Sequence, residues 1–148
     1  MSSVGISEIV LIVDDVRPSA RFYEEVVGLT PETHATDAWA WFWAGEPGQP
    51  RRIALHRGRL GFEEHSPHPE GQRWGHVHFA LHVPREDLAA AGDRVRARGV
   101  EVFGPLRLDW MNAIALYFYD PDGNLVEFSY DQGVYEKVRE VWGKNAAQ

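Results

Sequence analysis

The first third of the chain carries two apolar patterns in succession, one typical of a strand and one typical of a helix. Residues Ile9 to Val13 are an unbroken apolar run, which indicates a strand buried on both faces. Apolar residues then recur at helical spacing from Arg17 to Val27, and Gly28 can supply the left-handed residue that ends a helix. Further strands are predicted at residues 39–44, where Trp alternates with Ala and Phe, and at residues 51–56.

The second half of the chain repeats this order of elements. A predicted strand at residues 76–83 is followed by a helix with Leu88, Ala91 and Val95 on one side. Strands are then predicted at residues 100–103, 113–119 and 125–130. The last two are separated by the sequence DPDGN, which has the proline and glycine of a tight hairpin turn.

The two halves align with each other. A shift of 70 positions superposes Glu8 on His78, and a shift of 73 positions superposes Ala54 on Glu127. This self-similarity predicts a duplicated unit of one strand, one helix and three strands, whose apolar sheet faces must be covered. We predict a single domain with four segments, namely module 1 at about residues 5–57, a Gly- and Pro-rich connector at 58–75, module 2 at about 76–131 and a helix-prone tail at 132–148.

Composition and charge narrow the function classes. The chain has 148 residues and a formal net charge of −7, which disfavours binding to nucleic acid. No window approaches the roughly 20 consecutive apolar residues of a membrane helix, and the first residues do not resemble a signal peptide. Because cysteine is also absent, we expect a cytoplasmic protein.

Three segments, SEIVLIVDDVRPSARFYEEVVGL, HVHFALHVPREDL and YFYDPDGNLVEF, resemble the vicinal oxygen chelate superfamily. This superfamily includes glyoxalase I, fosfomycin resistance proteins, extradiol dioxygenases and bleomycin resistance proteins. The resemblance runs from about Ile6 to Tyr130 and is specific for the fold rather than for the reaction. It implies an α+β fold in which two tandem βαβββ modules form a curled mixed sheet around a cavity.

The resemblance also implies metal ligands on the first and last strand of each module. Those positions hold Glu8, Ala54, His78 and Glu127, so three of the four carry a ligand-type side chain. Two carboxylates and one imidazole suit a divalent ion such as Fe²⁺, Mn²⁺, Zn²⁺ or Ni²⁺ and leave positions open for a substrate. The alanine at position 54 departs from the Glu of glyoxalase I, which makes lactoylglutathione isomerisation less expected.

Each predicted ligand has an ordinary structural interpretation as well. Glu8 can be a solvated residue at the start of a strand, and Glu127 an ordinary hairpin residue. His78 alternates with His76 and His82, which is also typical of a strand with one polar, water-facing side. Because a shift of two residues keeps the same sheet face, the choice between His78 and His76 as ligand stays open.

The predicted ligand set of Glu8, His78 and Glu127 also implies chemical roles for individual residues. A bound ion can act as a Lewis acid on a substrate that chelates it through two neighbouring oxygens. Glu127 or Glu8 is then a candidate proton acceptor, and His82 is a candidate acid or base for dioxygenase chemistry, with His76 as the alternative.

Three tryptophans stand at alternate positions of one predicted strand. Trp39, Trp41 and Trp43 are candidates to line a substrate pocket, together with His76, because their rings can stack on a planar ligand. The alternative is that the three rings pack against a helix or a subunit partner. The C-terminal tail has apolar residues at a spacing of three to four, which favours a homodimer.

Two functions are consistent with these sequence features. The first is a divalent-metal-dependent enzyme of the glyoxalase or dioxygenase type, a lyase, isomerase or dioxygenase that acts on a small substrate with vicinal oxygens. The second is a metal-free binding protein of the bleomycin-resistance type that sequesters an aromatic small molecule. The ligand-type residues favour the first, and the aromatic content favours the second.

Overall fold

The computed structural model describes residues 5–57, 75–109 and 113–131. The strands are β1 (Glu8–Val13), β2 (Thr30–Pro31), β3 (Trp39–Trp43), β4 (Arg52–Arg57), β5 (His78–His82), β6 (Phe103–Leu108), β7 (Ala113–Tyr119) and β8 (Leu125–Asp131). The helices are α1 (Val16–Arg21), which continues in π-helical geometry over Phe22–Val27, and α2 (Leu88–Ala97). No helix among the described residues is long and apolar enough to cross a membrane.

The strands form two four-stranded mixed sheets with the same internal order. Sheet 1 runs β1-β4-β3-β2 and sheet 2 runs β5-β8-β7-β6. In each sheet the first strand of the module pairs in parallel with its last strand, whereas the other neighbours are antiparallel. The predicted duplicated α+β fold is therefore confirmed.

The described residues divide into two compact units. Unit 1 extends to Val77 and includes the loop Asp120–Asn124, and unit 2 contains His78–Tyr119 and the strand that starts at Leu125. In unit 1, the helix that begins with α1 covers one face of sheet 1. The buried residues of that layer include Leu11, Val13, Val16, Ala20, Tyr23, Val26, Val27, Ala40, Phe42, Ile53 and Leu55.

Unit 2 repeats this layering with α2 and sheet 2. Leu88, Ala91 and Val95, the residues predicted to lie on one side of the helix, are all buried. Phe118 and Phe128 pack edge to face with ring centroids 5.0 Å apart, and both are at most 2% exposed. Such a pair adds directional packing to the burial of the rings.

The DPDGN loop is held against the helix of unit 1. Asp120 accepts hydrogen bonds from the Tyr23 hydroxyl (2.6 Å), from the backbone N–H groups of Asp122 and Asn124, and from the Asn124 side-chain amide. The Asp122 carboxylate accepts from the Ser19 hydroxyl at 2.9 Å. Burial and the neighbouring Asp120 carboxylate raise the pKa of Tyr23 far above its ordinary value, so its hydroxyl remains a donor. The loop therefore has a structural function.

Two predicted strands start two or three residues later in the structure, in each case because another group accepts the hydrogen bond of a backbone N–H. The strand predicted at residues 100–103 starts at Phe103, since the Val100 N–H donates to the Val95 carbonyl at the end of α2. The strand predicted at residues 76–83 starts at His78, since the Val77 N–H donates to the Asn124 side chain. The predicted tail at 132–148 and the connector at 58–75, except for Gly75, lie outside the described residues.

Candidate functional site

A histidine and a glutamate meet on one face of sheet 2. The Nε2 atom of His78 on β5 lies 3.2 Å from the Oε2 atom of Glu127 on β8. The parallel pairing of the two strands places them in this relation, because it sets Ala80 opposite Glu127 and His78 opposite Leu125. Glu127 is only 5% exposed, whereas about half of the His78 side chain is open to solvent.

The backbone on the other side of the imidazole orients the His78 ring. Its Nδ1 atom lies 3.3 Å from the carbonyl oxygen of Leu125. With the proton on Nδ1, this nitrogen donates to the carbonyl, and the lone pair of Nε2 faces the Glu127 carboxylate. The lone pairs of His78 Nε2 and of the Glu127 carboxylate oxygen then face each other. A proton or a metal ion bound between these two atoms stabilises this arrangement.

A tyrosine completes this group, and the sequence analysis missed it. Tyr117 on β7 lies directly opposite Glu127 in the antiparallel pair, and its ring centroid is 6.0 Å from that of His78. Burial raises the pKa of Tyr117, and the charge of Glu127 and a hydrogen bond to it raise this pKa further. The period-two pattern of residues 113–119, combined with the hairpin register, was the signal that could have found it.

The other two histidines of the predicted group lie elsewhere. His82 is exposed at the end of β5, opposite Ser129, with its ring centroid 6.1 Å from that of Tyr130. His76 precedes β5 and belongs to unit 1, where its ring lies beside Gly123. Of the three alternating histidines, His78 is the one in contact with Glu127.

Glu8, the remaining predicted ligand, lies at the start of β1 in unit 1. Its Oε1 atom accepts a hydrogen bond from the Trp41 indole N–H at 3.1 Å. On the β4 strand between them, Ala54 is fully buried and offers no donor atom. Among the described ranges 5–57, 75–109 and 113–131, no group of three or more His, Asp or Glu side chains is assembled that could hold a metal ion.

The three tryptophans of β3 lie on the face of sheet 1 opposite the helix. Each is half-buried, whereas Ala40 and Phe42 between them are buried on the helix side, where Phe42 contacts Tyr23. The rings of Trp39 and Trp41 are nearly parallel, at 8° with centroids 5.0 Å apart. The exposed parts of these indoles form an apolar surface, which we call the tryptophan face (Trp39, Trp41 and Trp43).

Polar residues flank the tryptophan face at both ends. The guanidinium of Arg52 lies 5.1 Å from the ring centroid of Trp43 and is held by the Glu32 carboxylate through two nitrogen atoms. At the other end the His56 ring packs on Trp39, with centroids 4.0 Å apart. His56 is 7% exposed, its Nδ1 has no hydrogen-bond partner among the described residues, and burial lowers its pKa. The sequence analysis missed this buried histidine because it read residues 51–56 only as a strand.

Comparisons with known proteins agree with this architecture. The chain is 28% identical over 127 residues to Virulence protein STM3117 of Salmonella typhimurium, covering 84% of this chain and 82% of that protein. A glyoxalase/bleomycin resistance protein/dioxygenase from Nocardioides superposes with a TM-score of 0.65 at 27% identity, covering 90% of this chain and 87% of the other.

A third similar structure is the fosfomycin resistance protein FosX of Listeria monocytogenes, a variant of which was solved with Mn(II) and dihydroxypropylphosphonic acid. It superposes with a TM-score of 0.64 at 20% identity, covering 95% of this chain and 99% of that one, and this likeness shows the fold alone. The family model of the Glyoxalase/Bleomycin resistance protein/Dioxygenase superfamily matches residues 5–128. The chain therefore belongs to the Glyoxalase/Bleomycin resistance protein/Dioxygenase superfamily.

Proposed function

We propose that this protein is a divalent-metal-dependent enzyme that acts on a small substrate with vicinal oxygens, and that His78, Glu127 and Glu8 hold the metal. The observation that carries the proposal is the contact between His78 Nε2 and Glu127 Oε2 at 3.2 Å. His78 is preferred to His76 as the ligand, because only His78 is in contact with Glu127.

The donor pair fits a metal ion in distance and in chemistry. Two ligand atoms at about 2.1 Å from an ion, at an angle between about 90° and 110°, lie about 3.0–3.4 Å from each other. The observed separation of 3.2 Å falls in this range. One nitrogen and one carboxylate oxygen suit Fe²⁺, Mn²⁺, Zn²⁺ or Ni²⁺. In the fosfomycin resistance protein FosX, the solved complex holds Mn(II).

The third ligand, Glu8, belongs to the other unit of the fold. We propose that its carboxylate joins the pair either within one chain or from a second copy in a homodimer. Sedimentation of the purified protein tests the homodimer. Mixing Glu8→Ala chains with Glu127→Ala chains tests whether Glu8 comes from a second copy. Metal binding returns in the mixture only when the two chains of a dimer share a site.

The bound ion would supply Lewis-acid chemistry to a chelating substrate. Glu127, buried and hydrogen-bonded to Tyr117, is the proposed proton acceptor, because its carboxylate lies beside His78 in the proposed metal site. His82 lies on the same strand and the same face as His78 and is open to solvent, so it is a proposed second proton carrier.

Metal-dependent thermal stability tests the proposal. At about 100 times its Kd, a metal that binds only the folded protein adds about 2.7 kcal/mol, which raises the Tm of a chain of this size by roughly 5–10 °C. We expect this rise in wild type and expect it to be small or absent in His78→Ala, Glu127→Ala and Glu8→Ala. His34→Ala and Glu46→Ala, at exposed positions of unit 1, are the matched controls and should keep it. A wild-type protein whose Tm does not respond to any of the four metals contradicts the proposal.

The tryptophan face favours a second candidate function, a protein that binds a planar aromatic molecule. The half-buried rings of Trp39, Trp41 and Trp43 offer apolar contact area to such a molecule, and the net charge of −7 favours a cationic ligand. A planar cationic dye such as proflavine should then quench tryptophan fluorescence with saturation, and Trp39→Ala should weaken its binding while Tyr119→Ala should not. Saturable dye binding without any metal response would favour this second function.

A further inference from the structure

We propose that Trp41 is a positioning residue for Glu8, which fixes the direction of its carboxylate through the indole N–H. The inference rests on the proposed function, since it assigns Trp41 a role only if Glu8 is a metal ligand. It concerns residues of unit 1 alone.

The hydrogen bond between these residues spans an entire strand. Sheet 1 runs β1-β4-β3, so Glu8 and Trp41 lie on strands that are separated by β4. Two strand spacings amount to about 9.5 Å. The indole nitrogen nevertheless reaches Glu8 Oε1 at 3.1 Å, so the two side chains extend towards each other across β4.

Ala54 is the residue that makes this crossing possible. It lies on β4 between the two, directly opposite Trp41 on one side and Val10 on the other. Its methyl group is the smallest side chain that still covers the backbone, and it is completely buried. The internal repeat aligns Ala54 of unit 1 with Glu127 of unit 2. Unit 1 therefore has an alanine at the position where unit 2 has a carboxylate, and the indole N–H of Trp41 reaches across that alanine.

The indole N–H is the hydrogen-bond donor that orients Glu8, next to the positive charge of Arg52. Arg52, the neighbour of Glu8 on β4, is held by Glu32 through two nitrogen atoms and lies against Trp43. A glutamate has three rotatable bonds, and a donor on one carboxylate oxygen restricts them while the second oxygen remains available to an ion. Partners of this kind typically change metal affinity by about 10–100-fold.

Trp41→Phe is the direct test, because it keeps an aromatic ring over Ala54 and removes only the N–H donor and part of the ring. The matched control is Trp43→Phe, on the same strand and the same face, because the indole N–H of Trp43 makes no hydrogen bond within the part of the chain that the structure describes. Mn²⁺ affinity is measured by electron paramagnetic resonance of the free ion in wild type, in both variants, in Glu8→Ala and in the double variant Glu8→Ala/Trp41→Phe. Thermal unfolding without metal reports any general damage.

We expect Trp41→Phe to weaken Mn²⁺ binding about tenfold, Trp43→Phe to leave it within about twofold, and Trp41→Phe to have no further effect once Glu8 is alanine. If Trp41→Phe weakens binding equally in both backgrounds, its role is merely structural and the inference is wrong. If Glu8→Ala weakens binding but Trp41→Phe does not, the inference fails while the proposed ligand set stands. If Glu8→Ala binds Mn²⁺ as wild type does, the proposed ligand set fails, and this inference fails with it.

Discussion

The hydroxyl of Tyr23 should contribute measurably to the stability of the fold. This side chain is fully buried, and its hydroxyl donates at 2.6 Å to the Asp120 carboxylate, which is itself 5% exposed. Tyr23→Phe removes one oxygen atom and leaves the ring in place. The variant therefore isolates the contact that joins the helix of unit 1 to the DPDGN loop.

The magnitude follows from the environment of the bond. Hydrogen bonds to charged groups contribute about 1.5–3 kcal/mol, and one that is short and shielded from water belongs in the upper part of that range. The remaining donors set a limit, because the Asp120 carboxylate keeps bonds from two backbone N–H groups and from the Asn124 amide. We therefore expect Tyr23→Phe to lower the free energy of unfolding by about 2 kcal/mol.

Urea denaturation followed by far-UV circular dichroism measures this loss as a shift of the midpoint at constant slope. Tyr119→Phe is the control, since Tyr119 is 52% exposed and its variant should stay within about 0.5 kcal/mol of wild type. If the Tyr23→Phe protein is as stable as that control, the hydrogen bond between Tyr23 and Asp120 in the DPDGN loop is not a strong contact.

Three further outcomes follow from the structure. Asp120→Ala should cost about 3–5 kcal/mol in the same assay, because it leaves buried donors without an acceptor, and a loss below about 1 kcal/mol would contradict this. Burial lowers the pKa of His56 in the folded state, so the unfolded chain binds the proton more tightly and stability falls as the pH drops below about 6.5. The urea midpoint should therefore decline less between pH 7 and pH 5 in His56→Phe than in wild type. An equal decline of the midpoint in both proteins would show that His56 is not responsible. Gly104→Ala should cost about 2–4 kcal/mol, since φ is +111° and the added Cβ would lie 2.8 Å from the Ala115 carbonyl oxygen. Gly48→Ala has a φ of +88° and open space, so it should lose only about 1 kcal/mol, and a Gly104→Ala protein no less stable than Gly48→Ala would contradict the steric argument.

The order of the elements was predictable because it depends on local patterns. The apolar run of β1, the alternation of Trp in β3 and the helical spacing of Leu88, Ala91 and Val95 each belong to one continuous segment. Strand boundaries were harder to predict from the sequence. Val77 and Val100 give their N–H groups to partners that are remote or on the preceding helix, and no local pattern reports that competition.

The sequence by itself determined the duplicated α+β fold, its order of strands and the donor types at positions 8, 78 and 127, since periodicity and side-chain chemistry are properties of the chain. Only the tertiary structure decided which donors meet. The register of β5 on β8 brings His78 rather than His76 to Glu127, and the hairpin adds Tyr117 to the same face. The crossing of Trp41 over Ala54 likewise depends on the strand order of sheet 1. Contacts of this kind join residues that are far apart in the chain, and their geometry is fixed by sheet pairing rather than by local pattern.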